Sequence, residues 1–222
     1  MKVTYEIESG KKVKVETFAN GSVSKYDENG NKIYYKGSDG DEEWYDYDAN
    51  GRKVHSKDIK GYEYWFEYDL NGNCIHHKDN KGYETWREYN SNGNKIHSKD
   101  NKGYEQWFEY DTNGNCIHYK NNHGYEEWYE YDANENKIHF KNSDGVEEWR
   151  EYDSNGWLTY YKNSNGFEEW YGYDANGNVI HYKDSDGDEA WSEYDKNGNM
   201  IHFKNSDGIE YWYDANGNKI HS

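Results

Sequence analysis

Tryptophan recurs every 21 residues along most of the chain, and this period constrains the fold more than any other feature. Internal repetition at a fixed spacing of this length is typical of a small unit stacked on copies of itself. The fold, and any function, is therefore expected to belong to an array of units. The repeated residues are Trp44, Trp65, Trp86, Trp107, Trp128, Trp149, Trp170, Trp191 and Trp212.

Two series of glycines share the 21-residue period. One glycine lies four residues before each of these tryptophans, and the other follows the Tyr-Asp pair of most units, as Gly177 follows Tyr173. The stretches between them have five to seven residues, which suits strands and is too short for helices. The chain has 26 Tyr and no Pro, so β-favouring aromatics are plentiful and every backbone N–H can enter a ladder.

We therefore predict an all-β fold in which tandem 21-residue β-hairpin repeats form an elongated, twisted or coiled antiparallel sheet, similar to a solenoid. Residues 1–222 form a single repeat domain, in which residues 1–25 are a degenerate N-terminal capping unit and residues 26–222 are about nine repeats. The mean hydropathy of −1.50 excludes a large aliphatic core, so stability must come from contacts between neighbouring units.

The charge of the chain limits its partners. A net charge of −18 argues against nucleic acid and anionic membrane surfaces, because binding to phosphates needs clustered Lys and Arg. Residues 1–15 lack the apolar core of a Sec signal peptide, and no segment is long enough to span a bilayer. We expect no nucleic-acid partner, no membrane insertion, and either a cytoplasmic location or export by a non-Sec route.

The first turn of each repeat suggests a strand register. Residues 142–145 (Asn-Ser-Asp-Gly) suit a type I turn closed by a left-handed glycine, which is a three-residue hairpin loop. This register places Lys141 opposite Glu147, and Lys and Glu occupy these two positions in all nine units. A cross-strand ion pair would explain that constancy. The same register pairs His139 with Trp149 and Lys137 with Glu151.

Strand alternation assigns the residue types to two faces. Trp, His, and the Lys and Glu of the ion pairs share one face, called here the Trp/His face; Ile, the Phe or Tyr of each strand and the Tyr of Tyr-Asp share the other, the Tyr/Phe face. We predict that the Trp/His face is the more enclosed, because two positions of the Tyr/Phe face vary freely between units. For each unit to keep its faces, the second loop needs an even number of residues, which a two-residue Asn-Gly turn and a four-residue Asp-Ala-Asn-Gly loop both provide.

Cys74 and Cys116 occupy the same position two units apart. In a flat or gently curved sheet, four strand spacings of about 4.8 Å separate them by about 19 Å, which is beyond disulfide reach. We expect two free thiols. Other units carry Lys, Leu, Val or Met at this position, so the cysteines are interpreted as apolar fillers.

The histidines form a ladder that invites a metal hypothesis. Equivalent residues of successive hairpins lie about 10 Å apart, whereas the ligands of one Zn²⁺ each lie about 2 Å from the ion. We therefore expect packing of His against Trp, and no metal or other cofactor. Acidic turns such as residues 184–189 resemble fragments of calcium loops, so calcium there is kept as an alternative. No nucleophile accompanies a base, so we expect no enzyme activity.

The aromatic rows are the candidate binding face. Trp with flanking acids can bind a glycan or a quaternary ammonium group by stacking or by cation–π contact. The candidate residues are Trp86, Trp107, Trp128, Trp149, Trp170, His97, His118 and His139.

The repeat motif resembles a known family. Residues 173–198 read YDANGNVIHYKDSDG followed by DEAWSEYDKNG, and this spacing of Tyr-Asp and glycines resembles the YD repeats of bacterial Rhs proteins and teneurins. The resemblance extends from Tyr26 onward, and it implies a long coiled β-sheet that serves as a shell or scaffold. The family's core-associated motif and a C-terminal toxin domain have no counterpart here. The chain is also similar, more weakly, to choline- and glucan-binding repeats, although it lacks their Gly-Trp step.

The function expected from these patterns is a non-catalytic structural or protein-binding scaffold, bacterial in origin and linked to a polymorphic-toxin or surface system. The alternative is a glycan- or choline-type binding module that uses the Trp and Tyr rows. The expected partner is a protein or a glycan. End-to-end self-association is also expected, because the last strand, residues 218–222, offers an unpaired edge.

Overall fold

A computed structural model describes residues 1–214 and 217–221 of the chain. These residues form 22 β-strands and no helix, so the predicted all-β class is confirmed. No helix in this part of the chain is long and apolar enough to cross a lipid bilayer. The chain divides into two compact units, Met1–Trp107 and Phe108–Ser222. The division into a capping unit and repeats that the sequence suggests stays a prediction.

In the first unit, each strand pairs antiparallel with the next strand in sequence, from β1 to the first half of β11. The strands are β1 Lys2–Glu8, β2 Lys11–Thr17, β3 Val23–Tyr26, β4 Lys32–Lys36, β5 Glu42–Tyr47, β6 Lys53–Asp58, β7 Glu63–Tyr68, β8 Cys74–Asp79, β9 Glu84–Tyr89, β10 Lys95–Asp100 and β11 Glu105–Tyr110, whose second half belongs to the second unit.

The second unit continues the same pattern, and each strand from β12 onward pairs antiparallel with its sequence neighbour. Within each unit, every pairing between described strands joins consecutive strands, so the sheet is open. The strands are β12 Cys116–Asn121, β13 Glu126–Tyr131, β14 Lys137–Asn142, β15 Glu147–Tyr152, β16 Leu158–Asn163, β17 Glu168–Tyr173, β18 Val179–Asp184, β19 Glu189–Tyr194, β20 Met200–Asn205, β21 Glu210–Tyr213 and β22 Lys219–His221.

The first loop of the repeat has three residues, as predicted. The Asn142 N–H donates to the carbonyl of Val146 at 2.9 Å, and the Gly145 N–H donates to the carbonyl of Asn142 at 3.2 Å. Gly145 has a φ of 86°, in the left-handed region that this turn requires. The Asn142 side chain accepts the N–H groups of Asp144 and Val146, each at 3.0 Å, which fixes the turn from within.

The predicted register is confirmed beside this loop and wrong farther from it. Its first two pairs are Lys141 with Glu147 and His139 with Trp149. The third is absent from the described pairings of β14 and β15, which end at His139 and Trp149. Lys137 pairs with Tyr131 of the preceding strand.

The second loop also has three residues, so both even-numbered alternatives are wrong. The Asp174 N–H donates to the carbonyl of Asn178 at 3.0 Å, and the Gly177 N–H donates to the carbonyl of Asp174 at 3.2 Å. Gly177 has a φ of 87°. The loop therefore repeats the geometry of the first turn.

A β-bulge supplies the one extra residue that the odd repeat length of 21 residues requires. Tyr173 pairs with Val179 and Gly172 pairs with His181, which leaves Ile180 as an extra residue in β18. The three-residue loops preserve the alternation of side chains, and the bulge residue shifts it by one, so that a period of 21 residues returns each side chain to its face. The bulge residues are Ile33, Val54, Ile75 and Ile96 in the first unit, and Ile138, Thr159, Ile180, Ile201 and Ile220 in the second.

The bulge changes the predicted contents of the two faces. Directly opposed residues share a face, so the assignment of Trp, His and the paired Lys and Glu to one face is confirmed. Ile is not on the opposite face: Ile75 lines a cavity with His76 and Trp86. The residue before the bulge lies on the Tyr/Phe face and not on the Trp/His face. Lys137, which precedes the bulge residue Ile138, has its Nζ 5.2 Å from the ring centroid of Tyr129.

The expectation that the Trp/His face is the more enclosed is wrong in the repeats. Trp128 is 38% exposed on that face, whereas Asn142, Thr85 and Ser98 on the Tyr/Phe face are at most 9% exposed. The Asn142 amide donates to the Tyr125 hydroxyl at 3.4 Å, and Thr85 lies opposite His77 in the ladder. Among the described residues, the buried apolar side chains are Val13 and Val15 of the first unit.

In five of the repeats a tyrosine hydroxyl connects the residue before the bulge to the following repeat. Tyr173 donates to the carbonyl of Leu158 at 2.7 Å, and Tyr68 donates to the carbonyl of Lys53 at 2.8 Å. Burial raises the pKa of both hydroxyls, which keeps them protonated as donors. The same bond occurs from Tyr47, Tyr89 and Tyr152.

Glu135 provides a test of the turn geometry, because it occupies the glycine position of a second loop with a φ of 67°. A residue with a side chain in this left-handed conformation destabilises the folded state by about 1–2 kcal/mol relative to glycine. The greater flexibility of glycine in the unfolded chain offsets part of this difference. We expect Glu135→Gly to stabilise the protein by up to about 1 kcal/mol in urea denaturation. Glu135→Ala is the control, and equal stability of both variants would contradict the prediction.

Candidate functional site

The Trp/His face repeats one arrangement in row after row. Each row begins with an aromatic side chain that lies directly opposite the tryptophan of the next strand, so the two rings meet across the ladder. His139 of β14 and Trp149 of β15 have ring centroids 5.5 Å apart and planes inclined by 16°, which is a stacked contact. On the other side of the tryptophan lies a lysine of the following strand, as Lys162 pairs with Trp149.

The two units hold different members of the predicted binding face. In the first unit, Trp86 stacks on His76 at 5.2 Å, and Trp107 stacks on His97 at 5.3 Å. In the second unit, Trp128 stacks on His118 at 5.3 Å, and Trp170 is tilted by 37° against Tyr160. Every predicted residue thus lies in a row of this kind. Whether the rows bind a ligand stays a prediction.

Carboxylates flank three histidines of the second unit at both ring nitrogens. The Nδ1 of His139 lies 3.3 Å from Glu130 Oε1, and its Nε2 lies 2.9 Å from Glu147 Oε1. His118 and His202 are held in the same way, by Glu109 with Glu126 and by Glu193 with Glu210. A ring with acceptors at both nitrogens can donate to both when it is protonated.

The sequence interpretation missed one half of this arrangement. Extending the register past the first two pairs assigns the glutamate two residues after tryptophan to a lysine, as Glu151 to Lys137. The described ladder of β14 and β15 ends at His139 and Trp149, and the equivalent glutamate Glu130 pairs with His139 of the following strand. The signal in the sequence was the recurrence of Glu at this position in most units.

The first unit holds its histidines less tightly. His97 lies 3.3 Å from Glu88 through Nδ1, and His76 lies 3.2 Å from Glu67 in the same way. The Nε2 atoms of His55, His76 and His97 are buried and make no hydrogen bond among the described residues. His118, His139 and His202 of the second unit thus hydrogen-bond to two carboxylates. His76 and His97 of the first unit hydrogen-bond to one, and so does His181 of the second unit, which pairs with Gly172 in place of a glutamate.

Histidine and lysine share one glutamate in each row. Where Tyr160 replaces histidine, Lys162 Nζ lies 2.8 Å from Glu168 Oε1 and lowers the pKa of that carboxyl. In the preceding row the glutamate Glu147 is hydrogen-bonded by His139, and Lys141 Nζ lies 3.8 Å away. Lys and Glu of the predicted ion pair are thus in register, but the distance between their charged groups varies from row to row, and Lys57 Nζ lies 2.8 Å from Glu63 in the row of His55.

The carboxylates of the acidic turns accept hydrogen bonds from groups of the same turn. Asp174 Oδ1 accepts the backbone N–H groups of Asn176 at 2.8 Å and Asn178 at 3.0 Å, and Oδ2 accepts the Asn178 side-chain amide at 2.9 Å. The bond from the Asn178 amide is the largest contribution that lowers the pKa of Asp174. In the described parts of the chain, no three His, Cys, Asp or Glu side chains are grouped to hold a metal ion.

Cys74 and Cys116 are free thiols, as expected. Each is half-buried, and its Sγ contacts the carbonyl two residues onward, that of His76 at 3.4 Å and that of His118 at 3.5 Å. Burial raises the pKa of the Cys116 thiol. Since a protonated thiol is a poor nucleophile, Cys116 is suited to packing and not to covalent chemistry.

Comparison with known proteins finds a likeness in fold alone. No protein-family model matches the sequence, and no curated protein is significantly similar to it. The crystal structure of TcdB2-TccC3-Cdc42 aligns with a TM-score of 0.51 at 14% identity, over 98% of this chain and 16% of that chain. The crystal structure of TcdB2-TccC3-TEV aligns with a TM-score of 0.50 at 14% identity, over 98% and 16%.

A third match is the Photorhabdus luminescens Tc holotoxin pore carrying a TccC3 mutation, with a TM-score of 0.50 at 14% identity over 97% of this chain and 15% of that chain. This chain therefore spans only a small part of the length of the structures that it matches. The likeness supports a YD-repeat-like fold at a coarse level.

The histidine at the end of the second unit yields a pH prediction. The hydrogen bond to Glu210 raises the pKa of His202 above its usual 6.5. A raised folded-state pKa contributes stability below about pH 6.5, and that stability is lost as the pH rises through the folded-state pKa. We expect NMR titration to place the His202 pKa above 6.5, and Glu210→Gln to lower it. An unchanged pKa in that variant would contradict the assigned cause.

The shared glutamate yields a second prediction. Lys120 and Glu126 are direct cross-strand partners, and Glu126 also contacts His118. We expect Glu126→Lys to destabilise the protein by up to about 1 kcal/mol, and the added change Lys120→Glu to restore part of the loss in urea denaturation. The restoration stays incomplete because the contact with His118 is not rebuilt. Strictly additive losses would show that the pair does not interact.

Proposed function

We propose that the chain is a non-catalytic scaffold whose Trp/His face binds a protein partner, in a bacterial toxin-associated or surface assembly. The observation that carries the proposal is the repetition of one His–Trp–Glu row across each unit. Catalysis needs one constellation whose environment sets it apart, whereas a docking surface gains from identical rows.

The chemistry of the rows indicates the kind of partner. Trp128 and Trp191 are 38% and 41% exposed, and the outer glutamate Glu130 has a 68% exposed side chain. Half-exposed tryptophans suit the apolar anchors of a protein interface, and the exposed carboxylates favour basic residues around them. The net charge of −18 would speed the approach of a basic partner.

The structural neighbours give the proposal its context. The chains that match this fold are named as components of a Tc holotoxin pore and of TcdB2-TccC3 complexes. What those assemblies do is not carried over residue by residue, because the identity is 14% and the overlap is a small part of their length. The general role that we propose for this chain from these neighbours is that of a β-repeat segment in a larger assembly.

A glycan- or choline-binding module is the second candidate, and the exposed tryptophans with adjacent carboxylates favour it. A sugar ring stacks on an indole face, and a quaternary ammonium group is attracted to an indole beside an acid. The edges and faces of the rings left open at Trp128, Trp170 and Trp191 are the places at which such ligands would bind.

Tryptophan fluorescence separates the two candidates. We expect no saturable quenching by choline or by a panel of neutral sugars, with free N-acetyltryptophanamide as the control for nonspecific quenching. Saturable quenching that is lost in Trp128→Ala would replace the scaffold with the ligand-binding module.

A peptide selection tests the scaffold directly. We expect peptides selected on the chain to be rich in Arg and aromatic residues, and their binding to weaken with salt and with Glu130→Lys by about tenfold. Asp144→Lys, at an exposed turn, is the matched control with the same change of charge and little effect. Equal loss in both variants would reduce the interaction to net charge and contradict a specific face.

A further inference from the structure

The first strand of the sheet exposes both apolar side chains and an unpaired edge. β1 pairs with β2 over seven residues, and among the described strands it has no neighbour on its other side. Val3, Tyr5 and Ile7 alternate along β1 and are 41%, 61% and 72% exposed. A long edge strand with exposed apolar residues is a site at which sheets pair with other chains.

The turn after β1 determines which backbone groups face outward. Ser9 and Gly10 have φ values of 49° and 80°, so they form a two-residue turn of type I′ between Glu8 and Lys11. The residues flanking such a turn are hydrogen-bonded to each other, and hydrogen-bonded pairs alternate along the ladder. The N–H and C=O groups of Val3, Tyr5 and Ile7 therefore point away from β2.

We propose that β1 is the dimer interface of this protein, pairing antiparallel with β1 of a second copy so that Tyr5 lies opposite Tyr5 of the second copy. A two-fold axis perpendicular to the sheet keeps the two faces continuous, and it allows only registers in which residues of one face oppose each other. The inference concerns the sheet edge and is independent of the Trp/His face.

The side chains of β1 are complementary to themselves in this register. Val3 opposes Ile7, which brings two exposed apolar side chains together on the Tyr/Phe face. Lys2 opposes Glu8, and Thr4 opposes Glu6, so the charged ends of the strand meet with opposite signs. The symmetry axis makes the Lys2–Glu8 and Val3–Ile7 contacts occur twice.

The alternative registers fit less well. Moving the axis to Glu6 places two like carboxylates opposite each other, which is destabilising. Moving it to Thr4 leaves Glu8 without an opposing residue in the strand and matches Ile7 with Met1 beyond the start of β1. With the axis at Tyr5, all three outward-facing residues take part in the new ladder.

Charge reversal tests the register. We expect sedimentation velocity to show a concentration-dependent dimer, and Lys2→Glu and Glu8→Lys each to weaken it by about tenfold or more, since each places like charges opposite each other at two symmetric positions. Mixed in equal amounts, the two variants should associate with each other as strongly as the unaltered chain does with itself. Mixing that restores nothing would overturn the proposed pairing.

Glu8 also contacts Lys25 within the unit, so Glu8→Lys could weaken the dimer by destabilising the fold. A variant that alters the backbone of β1 separates the two effects. The Val3 N–H faces outward, so Val3→Pro should retain the β-sheet circular dichroism and abolish the dimer. Lys219→Glu, on β22, is the matched control and should leave the dimer unchanged. A dimer that survives Val3→Pro, or that is lost in Lys219→Glu, would refute the interface, as would a chain that stays monomeric at every concentration.

Discussion

The architecture depends on a parity constraint. Side chains of a strand alternate between faces with period two, so a repeat of 21 residues cannot return its tryptophan to the same face unless one residue leaves the alternation. Both loops have three residues and preserve the alternation, and the bulge residue, such as Ile180, is the one that breaks it. The stacking of His on Trp, the pairing of Lys with Glu and the bond from tyrosine to the bulge carbonyl all require this single extra residue.

Stability in such a sheet comes from contacts between adjacent strands, because the described residues contain few buried apolar side chains. Val13 and Val15 are the buried ones, both in the first unit. Elsewhere the repeats rely on ring stacking, on buried tyrosine hydroxyls such as that of Tyr173, and on Asp or Asn side chains that fix each turn. Each of these contacts joins a repeat to itself or to the next one, which is the nearest-neighbour energetics of repeat proteins.

The sequence allowed prediction of the features that depend on neighbouring residues and not of those that depend on the bulge. The first loop, the Lys141–Glu147 pair and the His139–Trp149 pair follow from local turn chemistry and from repetition. The second loop was mispredicted because the parity argument counted loop residues alone, and a bulge leaves no distinct residue type in the sequence, since Ile suits a strand equally well. The same omission placed Ile on the wrong face and hid the pairing of Glu130 with His139. The burial of the faces was mispredicted because side chains at variable positions can still be buried, as Thr85 is opposite His77.

The rows of the Trp/His face are alike but not identical, and the difference bears on recognition. In each unit one row carries tyrosine in place of histidine, Tyr34 in the first and Tyr160 in the second. Lysine contacts the glutamate directly there, at 2.7 Å from Lys36 to Glu42, as it also does in the row of His55, so the tyrosine row is set apart by its neutral hydroxyl. A uniform ladder would let a repetitive partner slide from row to row with equal affinity. For the partner proposed above, a row of different chemistry would remove that degeneracy, because one alignment alone would match it, and a surface built by repetition would acquire a defined register.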